Sequence, residues 1–176
     1  MPDTFIKIAS NTLTATTSSV TFSSIPQTYT DLVLKVCARD NNGSNWGGGY
    51  IRFNGDSTSG NYNGIQLFGN GSTVSTATGS GSWGTNYMLA GRANGGTSTA
   101  NTFGNSEVYI PNYTSTTDRK SISADDVTET NATSALMEIV AGIWVGTAAI
   151  TSLEILTPGA LFQINSTFTL YGIKNS

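Results

Sequence analysis

Four acidic residues lie close together in the sequence and are the first candidates for chemistry. Two carboxyl groups held about 5 to 10 Å apart can hydrolyse a glycosidic bond. Asp125 and Asp126 are adjacent, however, and adjacent residues of a strand point to opposite faces. We interpret the set as solvated loop acids or as partners in intersubunit ion pairs, with glycan cleavage as the less favoured alternative; its members are Asp118, Asp125, Asp126 and Glu129.

Other catalytic side chains are scarce. The chain has no histidine, which excludes Ser-His and Cys-His catalytic arrangements and zinc sites built on histidine. Its one cysteine, Cys37, cannot form an intrachain disulfide, and its strand-like surroundings predict a packed, inert thiol. We therefore predict that the protein is not an enzyme, and we assign it no cofactor and no metal-binding residue.

Two glycine-containing motifs resemble known sites but lack essential parts. Residues 79–84 match the spacing G-x-G-x-x-G, yet no convincing helix follows and no acid lies near position 104, so a loop is predicted. Residues 40–45 resemble the start of a calcium loop, but Asn45 and Ile51 occupy the positions where glycine and glutamate are needed. A surface turn is predicted there, and a looser calcium site stays open.

Five aromatic residues lie among glycines and asparagines and are candidate contacts for a partner. Such a mixture can cap a sandwich core, anchor a subunit interface, or stack on sugar rings of a host surface glycan. We favour the core cap, then the protein interface, then the sugar site. The residues are Trp46, Tyr50, Tyr62, Trp83 and Tyr87.

The elements that position these residues are predicted to be β-strands. Only 11% of the residues are charged, against about 25% in typical domains. Threonine suits a pleated surface, and asparagine and glycine suit turns. We predict an all-β fold, an antiparallel β-sandwich of jelly-roll-like topology, with about eight to ten strands in a single domain over residues 1–176.

Particular segments carry this prediction. Residues 32–39 alternate, with Leu32, Leu34, Val36 and Ala38 on one face. Residues 136–145 fit either a helix or a strand, and their β-branched content favours a strand. The pairs at 54–55 and 70–71, both Asn-Gly, indicate hairpin turns. Residues 70–105 are predicted to form long loops around one short strand.

Charge and hydropathy limit the classes of binding partner that we expect. The net charge of −3 builds no basic groove, so we do not expect nucleic-acid binding. No apolar segment approaches the roughly 20 residues that cross a bilayer, and the first residues lack the features of a signal peptide. We expect a soluble chain that does not bind membranes.

Several segments resemble small surface proteins of tailed bacteriophage particles, particularly those of marine and cyanobacterial phages. These segments are IASNTL at 8–13, VTFSSIPQTYTDL at 20–32, YIPNY at 109–113, WVGTAAITSL at 144–153 and STFTLYGI at 166–173. The resemblance covers most of the chain and is looser over residues 40–105. Its motifs are structural, so it carries over no active site.

The resemblance implies a virion structural protein, assembled in the host cytoplasm and placed on the virion surface. A capsid decoration (cement) protein, which forms homotrimers and binds the major capsid protein or other virion proteins, is the favoured role. The alternative is a tail or fibre component that binds a receptor or carbohydrate of the host. The chain shows no coiled-coil or repeat stalk, which a long fibre requires, and this favours decoration.

Overall fold

Alternating apolar and polar side chains build two facing sheets. The structure of the protein is a computed structural model that describes residues 4–78, 86–130 and 135–174. No helix occurs among these residues. They form the strands β1 (Phe5–Thr12), β2 (Ser19–Phe22), β3 (Asp31–Ala38), β4 (Tyr50–Phe53), β5 (Tyr62–Gly69), β6 (Val74–Thr78), β7 (Met88–Leu89), β8 (Gly104–Ile110), β9 (Lys120–Thr128), β10 (Leu136–Trp144), β11 (Leu153–Leu156) and β12 (Thr167–Ile173).

The strand order is that of a jelly roll with two added hairpins. An eight-stranded antiparallel sheet has the order β1-β12-β3-β8-β9-β10-β5-β6, and a four-stranded sheet has the order β2-β11-β4-β7. Without the β5–β6 and β9–β10 hairpins, the sheets have the orders β1-β12-β3-β8 and β2-β11-β4-β7, and every connection except β4 to β7 passes between the sheets. This is the arrangement of the two interlocked Greek keys of a jelly roll. The predicted antiparallel, jelly-roll-like sandwich is confirmed.

The added hairpins lie side by side and extend the large sheet beyond β8. The turn at Asn70-Gly71 joins β5 to β6 as predicted, with Gly71 at φ +87°. The turn at Asn54-Gly55 also has positive φ at both residues, but it connects β4 to a strand of the other sheet, so the predicted hairpin there is wrong. The sequence predicts one short strand among the loops of residues 70–105, and the structure has two there, β6 and β7.

The core lies between the two sheets. On β3 the predicted inward face is confirmed, since Leu32, Leu34, Val36 and Ala38 are all buried. Cys37 lies on the opposite face and is exposed, so its predicted packing is wrong. The Cys37 thiol lies on the outer surface of the sheet, where neighbouring side chains cover it in part, and this partial burial raises its pKa.

The turn after β4 ties the two sheets together through Asp56. Its Oδ2 accepts hydrogen bonds from Trp144 Nε1 at 2.7 Å and Asn61 Nδ2 at 2.8 Å, and its Oδ1 accepts one from the Thr58 N–H at 2.9 Å. Burial by itself raises the pKa of this carboxyl group, but the hydrogen bonds outweigh burial and hold the pKa at about 2. Trp144 in turn packs on Phe53, with ring centroids 5.7 Å apart.

Replacing Asp56 with Ala is expected to lower the free energy of unfolding by about 2 to 4 kcal/mol, because charge-assisted hydrogen bonds are lost. The folded pKa lies below the unfolded value, so the carboxylate stabilises the protein above about pH 4, and this contribution disappears as the pH falls towards 2. Urea unfolding between pH 2 and 7 measures both effects. The exposed Asp125→Ala variant is the control, and equal losses in both variants would contradict the role of Asp56.

Candidate functional site

Strand β10 turns its apolar row towards solvent. Met137 and Ile139 are 66% and 59% exposed, whereas Glu138 between them is 1% exposed. The apolar alternation of this strand therefore lies on the outer surface of the large sheet, and its acidic residue faces the interior. A row of large apolar side chains facing water costs free energy unless something covers it.

Neighbouring strands extend this row into a continuous surface, which we call the outer apolar face. Ile139 and Ala141 oppose Leu67 and Ile65 of β5, and Met137 opposes Val127 of β9. A shallow, almost wholly apolar depression lies between β10 and β5. Of the ten large hydrophobic residues exposed among the described residues, six belong to this face. The face consists of Ile65, Leu67, Val74, Val127, Met137, Ile139 and Ala141.

The outer apolar face carries almost no charge. Among the outward-facing strand residues of β5, β6, β9 and β10, Asp125 is the one ionisable side chain. The adjacent part of the same sheet is different, because Lys35 of β3 and Glu107 of β8 form an exposed ion pair at 2.7 Å. The apolar surface is thus confined to the two added hairpins.

The structure separates the five aromatic residues proposed as contacts. Tyr50 and Tyr87 are partly exposed and pack on each other, with ring centroids 4.7 Å apart. Trp46 is also partly exposed. It lies in the loop before β4, where its backbone forms an isolated antiparallel β-bridge with Asn94. Trp83 lies outside the described residues.

Tyr62 is a core residue rather than a surface contact. Its side chain is 2% exposed, and its hydroxyl accepts the Phe53 N–H at 3.1 Å and donates to the Asp56 carbonyl oxygen at 3.0 Å. Burial raises the pKa of Tyr62 to about 12. A ring in this position is not available to a glycan or a protein partner.

The four acidic residues also fall in different surroundings. Asp118, Asp125 and Glu129 are exposed, which agrees with solvated acids. Asp126 is 1% exposed on the inner face of β9, so its interpretation as a solvated loop acid is wrong. The opposite orientation of Asp125 and Asp126 on one strand is confirmed.

Asp126 belongs to a buried acidic cluster that the sequence interpretation missed. Glu138 of β10 lies directly opposite Asp126 in the ladder. The Arg92 guanidinium, from the loop between β7 and β8, donates from Nε to Glu138 Oε2 at 2.6 Å. The alternation of β10 points the wrong way, because its more apolar odd positions suggest that they face the core and that Glu138 faces solvent.

Burial dominates the electrostatics of this acidic cluster. It raises the pKa of Asp126 to about 8, with a further rise from the Glu138 charge. The Arg92 charge and the nearby Arg92 backbone N–H, which is not placed for a normal hydrogen bond, offset this rise in part. Burial also raises the pKa of Glu138, against the opposing effect of Arg92. Strongly shifted pKa values are frequent at functional sites and also occur in structural ion-pair networks.

The two motifs that resembled known sites have different outcomes. Residues 79–84, which match G-x-G-x-x-G, lie outside the described residues. The strand β6 ends just before them, at Thr78. Asp40 is buried, and its carboxylate accepts the Asn42 N–H at 3.0 Å and the Thr157 hydroxyl at 2.9 Å. These bonds fix the loop against the residues that follow β11.

The chain shows no detectable similarity to known proteins. The sequence matches no family model, no curated protein and no solved structure. Within residues 4–78, 86–130 and 135–174, no helix has the length and apolar character to span a membrane. The same residues contain no group of three or more acidic or cysteine side chains placed to hold a metal ion.

Proposed function

We propose that this chain is a virion structural protein, a capsid decoration protein that stabilises a bacteriophage head through protein–protein contacts. The phage assignment rests on the sequence resemblance. The observation that carries a docking role is the outer apolar face. A large exposed apolar surface on a soluble domain is typical of a protein interface.

The energetics of the outer apolar face suit an accessory protein present in many copies. Burying one exposed Leu, Ile or Met side chain contributes on the order of 1 to 3 kcal/mol. Several such residues supply the apolar centre of an interface of standard size, about 800 Å² on each partner. A protein that binds only the assembled shell shifts the equilibrium towards that shell.

The surroundings of the face fit the anatomy of an interface. The Ser and Thr side chains of β6 and β9 border the apolar centre and can donate hydrogen bonds without the desolvation cost of charges. In this proposal the major capsid protein covers the face, and three copies of the chain assemble at a symmetric position of the head surface.

Cryo-electron microscopy of intact phage particles tests the proposal. The expected result is density for this fold distributed over the capsid lattice, with the β5–β6 and β9–β10 hairpins towards the shell. Particles produced without the gene are the control and should lack that density. Density confined to the tail would reject decoration and support the alternative, a tail-associated receptor- or carbohydrate-binding protein. Absence from the particle would reject both roles.

A further inference from the structure

Within the described residues, the buried side-chain polar atoms that lack hydrogen-bond partners are all oxygens. Six such atoms occur among the described residues, and they come from the acidic cluster and its neighbours. Buried polar groups are nearly always paired, so a group of unpaired acceptors in one place requires an explanation. The atoms are Asn94 Oδ1, Ser106 Oγ, Asp126 Oδ1, Asp126 Oδ2, Thr128 Oγ1 and Glu138 Oε1.

The sheet register places these oxygens around Asp126. Ser106 of β8 and Glu138 of β10 are its direct cross-strand neighbours on either side. Side chains so opposed have Cβ atoms about 4.5 to 5.5 Å apart. Thr128 is two residues further along β9 and therefore lies on the same inner face. Asp126 is thus bordered on three sides by buried side chains with unpaired oxygens.

The loop between β7 and β8 closes over this group. A Cβ atom at Gly91, which has φ +109°, would lie 2.3 Å from Ser106 Oγ, so only glycine permits this approach. Asn94 donates from Nδ2 to Thr102 Oγ1 at 2.7 Å and to the Glu129 carbonyl oxygen at 3.2 Å. These bonds fix the orientation of its amide and leave Oδ1 as the unpaired end.

The charge of the acidic cluster distinguishes between a proton and a metal cation bound there. Arg92 neutralises one of the two carboxylates, so an ionised cluster keeps one negative charge away from solvent. A proton would neutralise that charge but would occupy one oxygen. A hard cation removes that negative charge and binds several oxygens at once. A monovalent ion balances the charge, whereas Ca²⁺, at 2.3–2.6 Å from its ligands, leaves one positive charge in the site.

We propose that the inner face of β8, β9 and β10 holds a hard, oxygen-seeking cation, bound by the oxygens of Asp126, Glu138, Ser106 and Thr128. Arg92 is a positioning residue, because it holds Glu138 Oε2 and leaves Oε1 for the ion. The site would join the added β9–β10 hairpin to β8 of the jelly roll. The inference does not depend on the phage assignment.

Thermal unfolding of the chelator-treated chain tests the site. Addition of Ca²⁺ or Na⁺, each against choline chloride at matched ionic strength, distinguishes a divalent from a monovalent ion. At 100 times Kd, the bound ion is expected to raise Tm by roughly 5 to 10 °C. Mg²⁺ should raise Tm less, because it demands strict octahedral geometry and retains water.

Two matched variants locate the effect. Asp126→Asn removes the central charge, keeps the side-chain shape and should abolish the cation-dependent rise in Tm. Asp125→Asn makes the same change on the exposed face of β9 and should retain it. Ser106→Ala, a smaller change, should weaken binding about tenfold in calorimetric titrations at constant pH. An unchanged Tm in every cation would overturn the site, as would an equal rise in the Asp126→Asn variant.

Discussion

Replacing Arg92 with Met is expected to lower the free energy of unfolding by about 3 to 5 kcal/mol. Arg92 is the partner of Glu138, whose carboxylate is 1% exposed and lies opposite a second buried carboxyl group. Loss of one member of a buried pair leaves the other charge without compensation. Urea unfolding at pH 7, with a chelator present and choline chloride in place of sodium salts, measures this cost and keeps it separate from cation binding.

A double-mutant cycle tests whether the cost arises from the ion pair. The Glu138→Met variant should also be strongly destabilised, because Arg92 loses its partner. The double variant should recover most of the loss, since two apolar side chains then replace two charges. Additive losses in the double variant would contradict the electrostatic explanation and indicate that Arg92 stabilises the loop by packing.

A second ion pair provides the control for burial. Arg52 and Glu154 are opposed in the small sheet, with Arg52 Nη1 3.0 Å from Glu154 Oε2. The two arginines are similarly buried, but the Glu154 side chain is 24% exposed, whereas that of Glu138 is fully buried. Arg52→Met is therefore expected to cost less than Arg92→Met, about 1 to 2 kcal/mol, because Glu154 keeps contact with water and the lost bonds are the ion pair and the bond from Arg52 Nε to the Asn86 carbonyl oxygen. An equal cost at the two positions would show that desolvation does not distinguish the buried pair.

The sequence predicts the class of the fold because alternation and turns are local signals. On β3 the inward face follows directly from Leu32, Leu34 and Val36. The sheet to which each strand belongs depends on non-local pairing, which explains the error at Asn54-Gly55. That pair supplies the positive φ values of a tight turn, but the turn passes from one sheet to the other.

The candidate sites were harder to predict for a related physical reason. Alternation identifies two faces of a strand without stating which one is buried. On β10 the more apolar face lies outside, so Met137 and Ile139 look like core and Glu138 looks like surface. The same ambiguity hides Asp126, whose neighbour Asp125 is the exposed member. Only the position of β9 and β10 within the sheet decides the orientation.

Replacing Ile139 with Lys is expected to weaken binding to the phage head by at least about 100-fold. Ile139 lies near the centre of the outer apolar face, opposite Leu67, and is 59% exposed in the free chain. Since the side chain already reaches water, the free energy of unfolding should change by no more than about 0.5 kcal/mol. In the complex, a lysine at this position would be buried together with its cross-strand neighbour Asp125, and the desolvation of both charges costs several kcal/mol.

Co-sedimentation with particles that lack the native protein measures this loss. Thr21→Lys places the same charge at an exposed strand position of the small sheet, so it should bind as the native chain does. Leu67→Lys should reproduce the defect, because Leu67 and Ile139 are cross-strand partners on the same face. Normal binding by both variants of the outer apolar face, with loss of binding in Thr21→Lys, would place the docking surface on the small sheet instead.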